Sequence, residues 1–297
     1  MSARRIGFVG FGEVGYHLAR GLGLAGMVAY DIHADTPGRG EKIRARVGET
    51  GVRLVADSAE LAASADVILC VVTAREAGIA AEQTAPYLTP EHLYVDMNSV
   101  SPALKVTIGE TVAASGAKFV EVAIMAPVEP YGHKVPMISG GPHTREFDEI
   151  FVPLGMVIES GDPTIGSASA SKMCRSIVVK GMEAILTECV LAATRYGAQD
   201  RVFASLGETF PGIDWAELAT YMVGRVVVHG ERRAHEMEEV AKTLRSIGVE
   251  PIMAEATAKL MAWSAKEGWK DRFEGKEPES VEAFAEKVNA SGATERL

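Results

Sequence analysis

A chain of 297 residues that is 47% hydrophobic and 24% charged has ample material for a core and exceeds one average domain, which predicts two domains. Its net charge of −10, with Arg4-Arg5 and Arg232-Arg233 as the tight basic pairs, argues against a nucleic-acid partner, which needs clustered Lys and Arg. No apolar run approaches the ~18 residues of a membrane span, and the start MSARRIGFVGFGEVG lacks the continuous apolar stretch and small-residue cleavage site of a signal peptide, so a cytoplasmic protein without a membrane partner is expected.

In chain order, the first half alternates short β-rich runs with helical ones. RIGFVG, MVAYD, VRLVA, DVILCVV, HLYVDM, KFVEVAI, PMISG and MVIES read as strands, separated by helical stretches such as EVGYHLARGL and LKVTIGETVAAS. That alternation predicts βαβ units and a largely parallel sheet, an α/β fold of the Rossmann-type doubly wound kind. Directly after the first strand, Gly10, Gly12 and Gly15 make G-x-G-x-x-G at the mouth of a helix. The first glycine allows a tight turn, the second lets backbone amides approach a pyrophosphate, and the third lets helix pack on strand. Phe11, Glu13 and Val14 share that loop, Val72 ends the fourth strand with Thr73 next to it, Asn98 follows the fifth, and together they complete the expected cofactor-binding set. Asp31 ends the second strand, at the spacing where a carboxylate accepts the adenosine ribose hydroxyls and repels a 2′-phosphate, which favours NAD. Arg39, further along that loop, keeps NADP open.

After SGDPTIGS the strands stop. Ala168 to Gly197 reads as one long helix, followed by helices near Asp214 to His229, Glu231 to Ile247 and Pro251 to Lys266. Asp214 with Glu217 forms a capping pair, and Gly248 stops the helix before it. The boundary falls around Gly161 to Ser167, giving a dinucleotide-binding domain at 1–163 and an all-helical C-terminal domain, for substrate and dimerisation, at 164–297. The charged tail from Lys266 onward reads as marginally ordered. Cys70, Cys174 and Cys189 are odd in number and without C-x-x-C spacing, which fits reduced, buried thiols.

The helix that opens the second half carries two lysines, Lys172 and Lys180, in SKMCRSIVVKG. A helical lysine is ordinarily a solvated charge with its stem on apolar surface. They lie eight residues apart, about 80° around and ~12 Å along a helix, too far to share one proton. Weaker candidates are His133 in the loop EPYGHK, Glu121 at a strand end, Arg232 and Arg233 as a bidentate anion clamp, and Asn98 and Ser99 as polar groups before Pro102. Each has a plain alternative as a solvated or turn residue. No H-x-H, H-E-x-x-H or carboxylate cluster suggests metal, and no G-x-S-x-G suggests a serine hydrolase.

Taken together and in order, these segments resemble the β-hydroxyacid dehydrogenase superfamily, which includes 6-phosphogluconate and 3-hydroxyisobutyrate dehydrogenases. GFVGFGEVG matches its cofactor motif, VDMNSVSP resembles its D-x-S-T-x-x-P segment beside the nicotinamide, and GSASASKMCRS resembles its catalytic G-x-x-x-K-x-x-x-N helix. The resemblance implies that Lys172 is the catalytic lysine and that Ser176 stands where the family has asparagine. The substrate segment departs: the family's D-A-P-V-S-G-G is EVAIMAP here, with Met125, Ala126 and Pro127 in place of residues that let a carboxylate approach backbone. With ERRAHEMEEVAKTL, this pattern resembles a divergent 6-phosphogluconate dehydrogenase-like branch with its own C-terminal domain type. Ser99, Glu121, Met125, His133 and Arg232 are the substrate-binding candidates. A lysine poised near neutral pH can take the hydroxyl proton as hydride leaves, and return it in the reverse reduction. The resemblance thus implies an NAD-dependent oxidoreductase acting on a small β-hydroxy acid or β-hydroxy-α-amino acid, without metal and as a homodimer. An imine or ketone reductase using NADPH and a catalytically silent NAD-binding regulator are the alternatives.

Overall fold

The computed structural model describes residues 4–292. Its eight strands are β1 (Ile6–Val9), β2 (Val28–Tyr30), β3 (Arg53–Leu54), β4 (Val67–Cys70), β5 (Leu93–Asp96), β6 (Lys118–Ile124), β7 (Met137–Gly140) and β8 (Ile158–Ser160). Each lies inside a run read as a strand from sequence. The helices between them are α1 (Glu13–Leu22), α2 (Arg39–Thr50), α3 (Ser58–Ser64), α4 (Ala77–Thr84), α5 (Pro102–Ala113) and α6 (Thr144–Phe151). Six more follow: α7 (Ser167–Arg195), α8 (Gln199–Thr209), α9 (Trp215–Ser246), α10 (Ile252–Lys266), α11 (Trp269–Arg272) and α12 (Val281–Gly292).

The sheet order is β3-β2-β1-β4-β5-β6-β7-β8. All neighbours pair in parallel except β6 and β7. This is the doubly wound arrangement, and its order reverses between β1 and β4, where such folds bind ligands. Burial on both faces explains why the central strands read as continuous apolar runs. Phe8, Leu69 and Val95 face one core with Leu18 and Phe147, while Val9, Ile68 and Tyr94 face the other with Leu61 and Ile108.

The chain divides into two compact units, 1–172 and 173–297. The division falls inside α7, because the first turns of that helix are bonded to β6. In the helical unit two expectations are corrected. The helices expected on either side of Gly230 are one helix, α9. Gly230 is there for a close crossing, since a Cβ on it would collide with Ser264 Oγ and stand 3.0 Å from Met261 O on α10. The tail beyond Lys266 is ordered through α11 and α12: Trp269, Phe273, Val281 and Phe284 are buried in one core with Val223 and Val226 of α9. Its charges face outward, and a few apolar residues suffice to dock it. The thiols also differ from expectation, with Cys70 buried but Cys174 exposed. Among the described residues, no helix is long and apolar enough to cross a membrane.

Candidate cofactor and catalytic site

The three glycines after β1 each show a separate physical need. Gly10 has φ +83, and a Cβ on it would stand 2.8 Å from Val72 Cγ1 and 3.0 Å from Val71 O. Gly15 lets α1 lie close, since its Cβ would be 3.1 Å from Gly10 O and 3.3 Å from Phe11 Cδ2. Gly12 differs from both, because a Cβ there would meet nothing within 4 Å. It is the N-cap of α1, and no side chain caps that helix. The open face and the uncapped amides of Glu13 and Val14 fit a dinucleotide pyrophosphate, which would take the place of a side-chain cap.

Asp31 follows β2. Its Oδ2 accepts the Phe11 N–H at 2.7 Å and its Oδ1 the His33 N–H at 2.9 Å, so the carboxylate ties the glycine loop to the next strand. Each oxygen keeps a further lone pair for a ribose hydroxyl. Arg39, exposed on the first turn of α2, donates to His33 Nε2 at 3.0 Å. After β4, Val72 presses on Gly10, and Thr73 is exposed with its carbonyl accepting the Glu76 N–H at 3.0 Å.

Beneath the turn after β5 lies an ion pair that the sequence reading missed. Lys105 Nζ stands 2.9 Å from Asp96 Oδ2 and donates to the Asp96 carbonyl at 2.8 Å, with both side chains buried. Asp96 Oδ1 accepts both the backbone N–H and the Nδ2–H of Asn98. The available signal was phase, since Lys105 shares a helix face with the buried Ile108, Gly109 and Val112. Asn98 Nδ2 also reaches Cys70 Sγ at 3.3 Å, while Asn98 Oδ1 is a buried acceptor with no partner among the described residues. Burial, reinforced by the Asp96 charge, pushes the Cys70 thiol up to about 12, so it is an inert packing group here. An unpaired acceptor beside the switch point suits the amide end of a nicotinamide cofactor.

Ser99 and Lys172 are brought together: Lys172 Nζ donates to Ser99 Oγ at 2.5 Å. The start of α7 that carries Lys172 is fixed by Glu121, whose Oε1 accepts the N–H groups of Gly166 at 2.6 Å and Ala168 at 3.1 Å while Oε2 accepts the Ser169 hydroxyl at 2.9 Å. Glu121 is fully buried. The sequence expectation that it touches substrate is therefore corrected: its oxygens serve a helix terminus. Met125 sits half-buried beyond β6, its N–H donating to Pro136 O at 2.9 Å.

Other candidates lie elsewhere. His133 packs on the last turn of α1, where a Cβ on Gly21 would collide with its ring, and burial lowers its pKa. That is nine residues from Gly12, ~13 Å along the helix, so His133 packs away from the glycine loop. In the helical unit, Lys180 Nζ donates to Ser176 Oγ at 3.3 Å and pairs with Glu236 at 2.8 Å. Burial works to raise the Glu236 carboxyl, but Lys180 and the neighbouring arginines outweigh it and hold it below its ordinary value. Arg232, exposed, pairs with the same Glu236 one turn along α9, and Arg233 is buried against Glu183. An anion clamp of both arginines is thus corrected to two separate ion pairs. Among the described residues, no three His, Cys, Asp or Glu side chains converge as metal ligands would.

Residues 5–144 match the family model described as the NAD binding domain of 6-phosphogluconate dehydrogenase, and residues 193–264 match one described as a domain of unknown function. The uncharacterised 28.5 kDa protein in the 7S RNA 5′ region of Methanothermus fervidus is 31% identical over 253 residues, covering 85% of this chain and 96% of that one. A solved structure of a conserved protein, described as similar to 3-hydroxyacid dehydrogenases, superposes with TM-score 0.76 at 30% identity, over 91% of this chain and 99% of its own. The chain is a divergent member of the β-hydroxyacid dehydrogenase-like family. A conserved hypothetical protein of Sinorhizobium meliloti 1021 has the same fold, with TM-score 0.79, 39% identity and 88% of each chain covered. In this β-hydroxyacid dehydrogenase-like chain the glycine loop, Asp31, Asn98, Ser99 and Glu121 all lie inside the matched cofactor domain, whereas Lys172 lies in neither matched segment.

Proposed function

We propose that the protein oxidises the hydroxyl of a small β-hydroxy acid or β-hydroxy-α-amino acid with NAD, Lys172 taking the hydroxyl proton. When bound, the nicotinamide supplies the acceptor for hydride. The observation that carries this reading is the contact between Lys172 Nζ and Ser99 Oγ, on the segment that follows β5 and the Asp96–Lys105 pair. A serine hydroxyl can accept from an ammonium or donate to a neutral amine, so Ser99 holds Lys172 in both protonation states that a reversible acid/base must visit. Substrate oxidation leaves two electrons with the carbinol hydrogen and one proton on Nζ, and reduction reverses both. Asp31 favours NAD over NADP by occupying the place a 2′-phosphate would need. We read the protein as cytoplasmic, and as a homodimer because Val178 and Ile185 on α7 are 62% and 55% exposed; a monomer mass by light scattering at micromolar concentration would count against the dimer.

The test is a panel of β-hydroxy acids and β-hydroxy-α-amino acids, each offered with NAD and in parallel with NADP, followed by the absorbance of the reduced nicotinamide. Turnover of at least one member with NAD, and poorer turnover with NADP, is expected. A panel that is silent with both cofactors, in a protein that binds NAD, would overturn the reading.

A further inference from the structure

We propose that Glu121 is the positioning residue for Lys172, fixing the first turns of α7 so that Nζ meets Ser99. The significance for catalysis rests on the acid/base reading of Lys172, but the positioning itself does not. The first amides of any helix lack intrahelical partners and are ordinarily capped by a residue next to them in sequence. Here a cap comes from β6, between 45 and 48 residues away: the N–H of Gly166 just before α7, the N–H of Ala168 and the Ser169 hydroxyl converge on a single buried carboxylate. A cap of that range fixes where the helix begins in space as well as satisfying its amides.

Two glycines make room for this arrangement. A Cβ on Gly140 would stand 2.7 Å from Glu121 Oε1, so only glycine leaves the carboxylate its place on the β6–β7 pair. Gly166 has φ +99, and a Cβ there would lie 3.2 Å from Pro102 Cβ and 3.3 Å from Pro102 O. The chain entering α7 is thereby held between Glu121 on one side and Pro102, three residues after Ser99, on the other. Lys172 follows Ala168 by one helical turn, so its direction is inherited from the capped amides. The separation of the donors makes reach, and not charge, the property that matters. Gln at 121 can keep Oε1 on both amides and turn an N–H toward Ser169 Oγ, whereas Asp is one methylene too short to span them.

The experiment compares wild type with Glu121→Gln, Glu121→Asp and Glu121→Ala, Asp being the variant that keeps the buried charge should Ala fail to fold. Amide hydrogen exchange reads Gly166 and Ala168, and limiting acetic anhydride followed by peptide mass spectrometry reads the acylation of Lys172 against exposed Lys259 in the same molecule. In Glu121→Asp, and in Glu121→Ala if folded, both amides should exchange about tenfold faster or more, the worth of a hydrogen bond to a charged group. The Lys172 to Lys259 ratio should rise several-fold, while NAD affinity by fluorescence titration stays within about threefold. Glu121→Gln should restore both readouts to near wild type. An unchanged Lys172 ratio in Glu121→Asp overturns the proposal, as does a Gln variant as disturbed as Asp, or a uniform rise at every lysine with loss of NAD binding. None of these readouts uses a substrate, so the acid/base reading can fail in kinetics while the positioning stands, and the reverse.

Discussion

Asp96, the last residue of β5, and Glu121, in the middle of β6, are register partners, and both carboxylates are fully buried. Two like charges side by side in a core would repel strongly. They coexist because each has its own positive counterpart: the Lys105 ammonium for Asp96, and the N-terminal amides of α7 for Glu121. The first fixes the turn that carries Asn98 and Ser99, and the second fixes the helix that carries Lys172.

Removing Lys105 alone is the sharpest test of that core. Lys105→Met leaves a buried carboxylate without its cation and is expected to cost about 3–5 kcal/mol, the usual penalty for breaking one side of a buried pair. Lys105→Met combined with Asp96→Asn removes the charge while keeping an acceptor for the Asn98 N–H, and should recover most of the loss. Urea unfolding of the two variants measures the difference; equal destabilisation in both would show that the ion pair does not govern this turn.

The glycine loop predicts opposite outcomes for two similar changes. Gly12→Ala points a methyl into open space, so its melting temperature should match wild type while NAD affinity falls about tenfold or more, equivalent to at least ~1.4 kcal/mol of binding. Gly10→Ala forces a side chain onto a left-handed backbone against Val72, and should lower stability by about 1–3 kcal/mol before any ligand is added. Thermal unfolding and fluorescence titration on each variant separate the two roles. A Gly12→Ala protein that binds NAD as well as wild type would remove the pyrophosphate from this loop.

What was legible in the sequence follows from what is periodic or local. Strands β1, β4 and β5 declare themselves because burial on both faces makes continuous apolar runs, and the glycine spacing is a local requirement of one turn. The continuity of α9 was not legible, because Gly230 reads as a breaker until Ser264 and Met261 are seen to need the space. Nor was Glu121's part, since a cap from a strand 45 residues away in the chain leaves no mark beside the helix it caps. Lys105 stood in between: its phase with Ile108 and Val112 marked it as buried, but only the fold supplies Asp96 as the reason.

Stability should also depend on pH through His229. Burial, assisted by Arg225, Arg232, Arg233 and Lys270, lowers its folded pKa to about 4, whereas an unfolded histidine titrates near ~6.5. Between those values the unfolded chain binds the proton and the folded chain does not. The contribution is therefore fully present above ~6.5 and is lost progressively as pH falls towards 4. Lowering the pH from 7 to about 5 should reduce the urea midpoint, and His229→Gln should flatten that slope. His133, lowered in the same sense by burial, keeps the slope from vanishing. An unaltered slope in His229→Gln would place the pH sensitivity elsewhere.

The two lysines of α7 give the most direct kinetic comparison. Lys172 donates to Ser99 at the end of the cofactor domain, whereas Lys180, eight residues on, is committed to Glu236 and Ser176 in the helical unit. If Nζ of Lys172 moves the hydroxyl proton, Lys172→Met should leave NAD affinity within a few-fold and cut turnover by about 10²–10⁴, the usual worth of a positioned proton-transfer group. It should also remove one ionisation from the pH profile of kcat/KM, because the base must be neutral for oxidation and protonated for reduction. Lys180→Met should instead lower stability through the loss of its ion pair, with turnover changed far less, since its charge lies two turns, ~12 Å, along the helix. Steady-state kinetics on the best hydroxy acid from the panel, with NAD titration as the control for folding, decides between them. Normal turnover and an intact pH profile in Lys172→Met would transfer the proton to another group and leave the Lys172–Ser99 contact as structure alone.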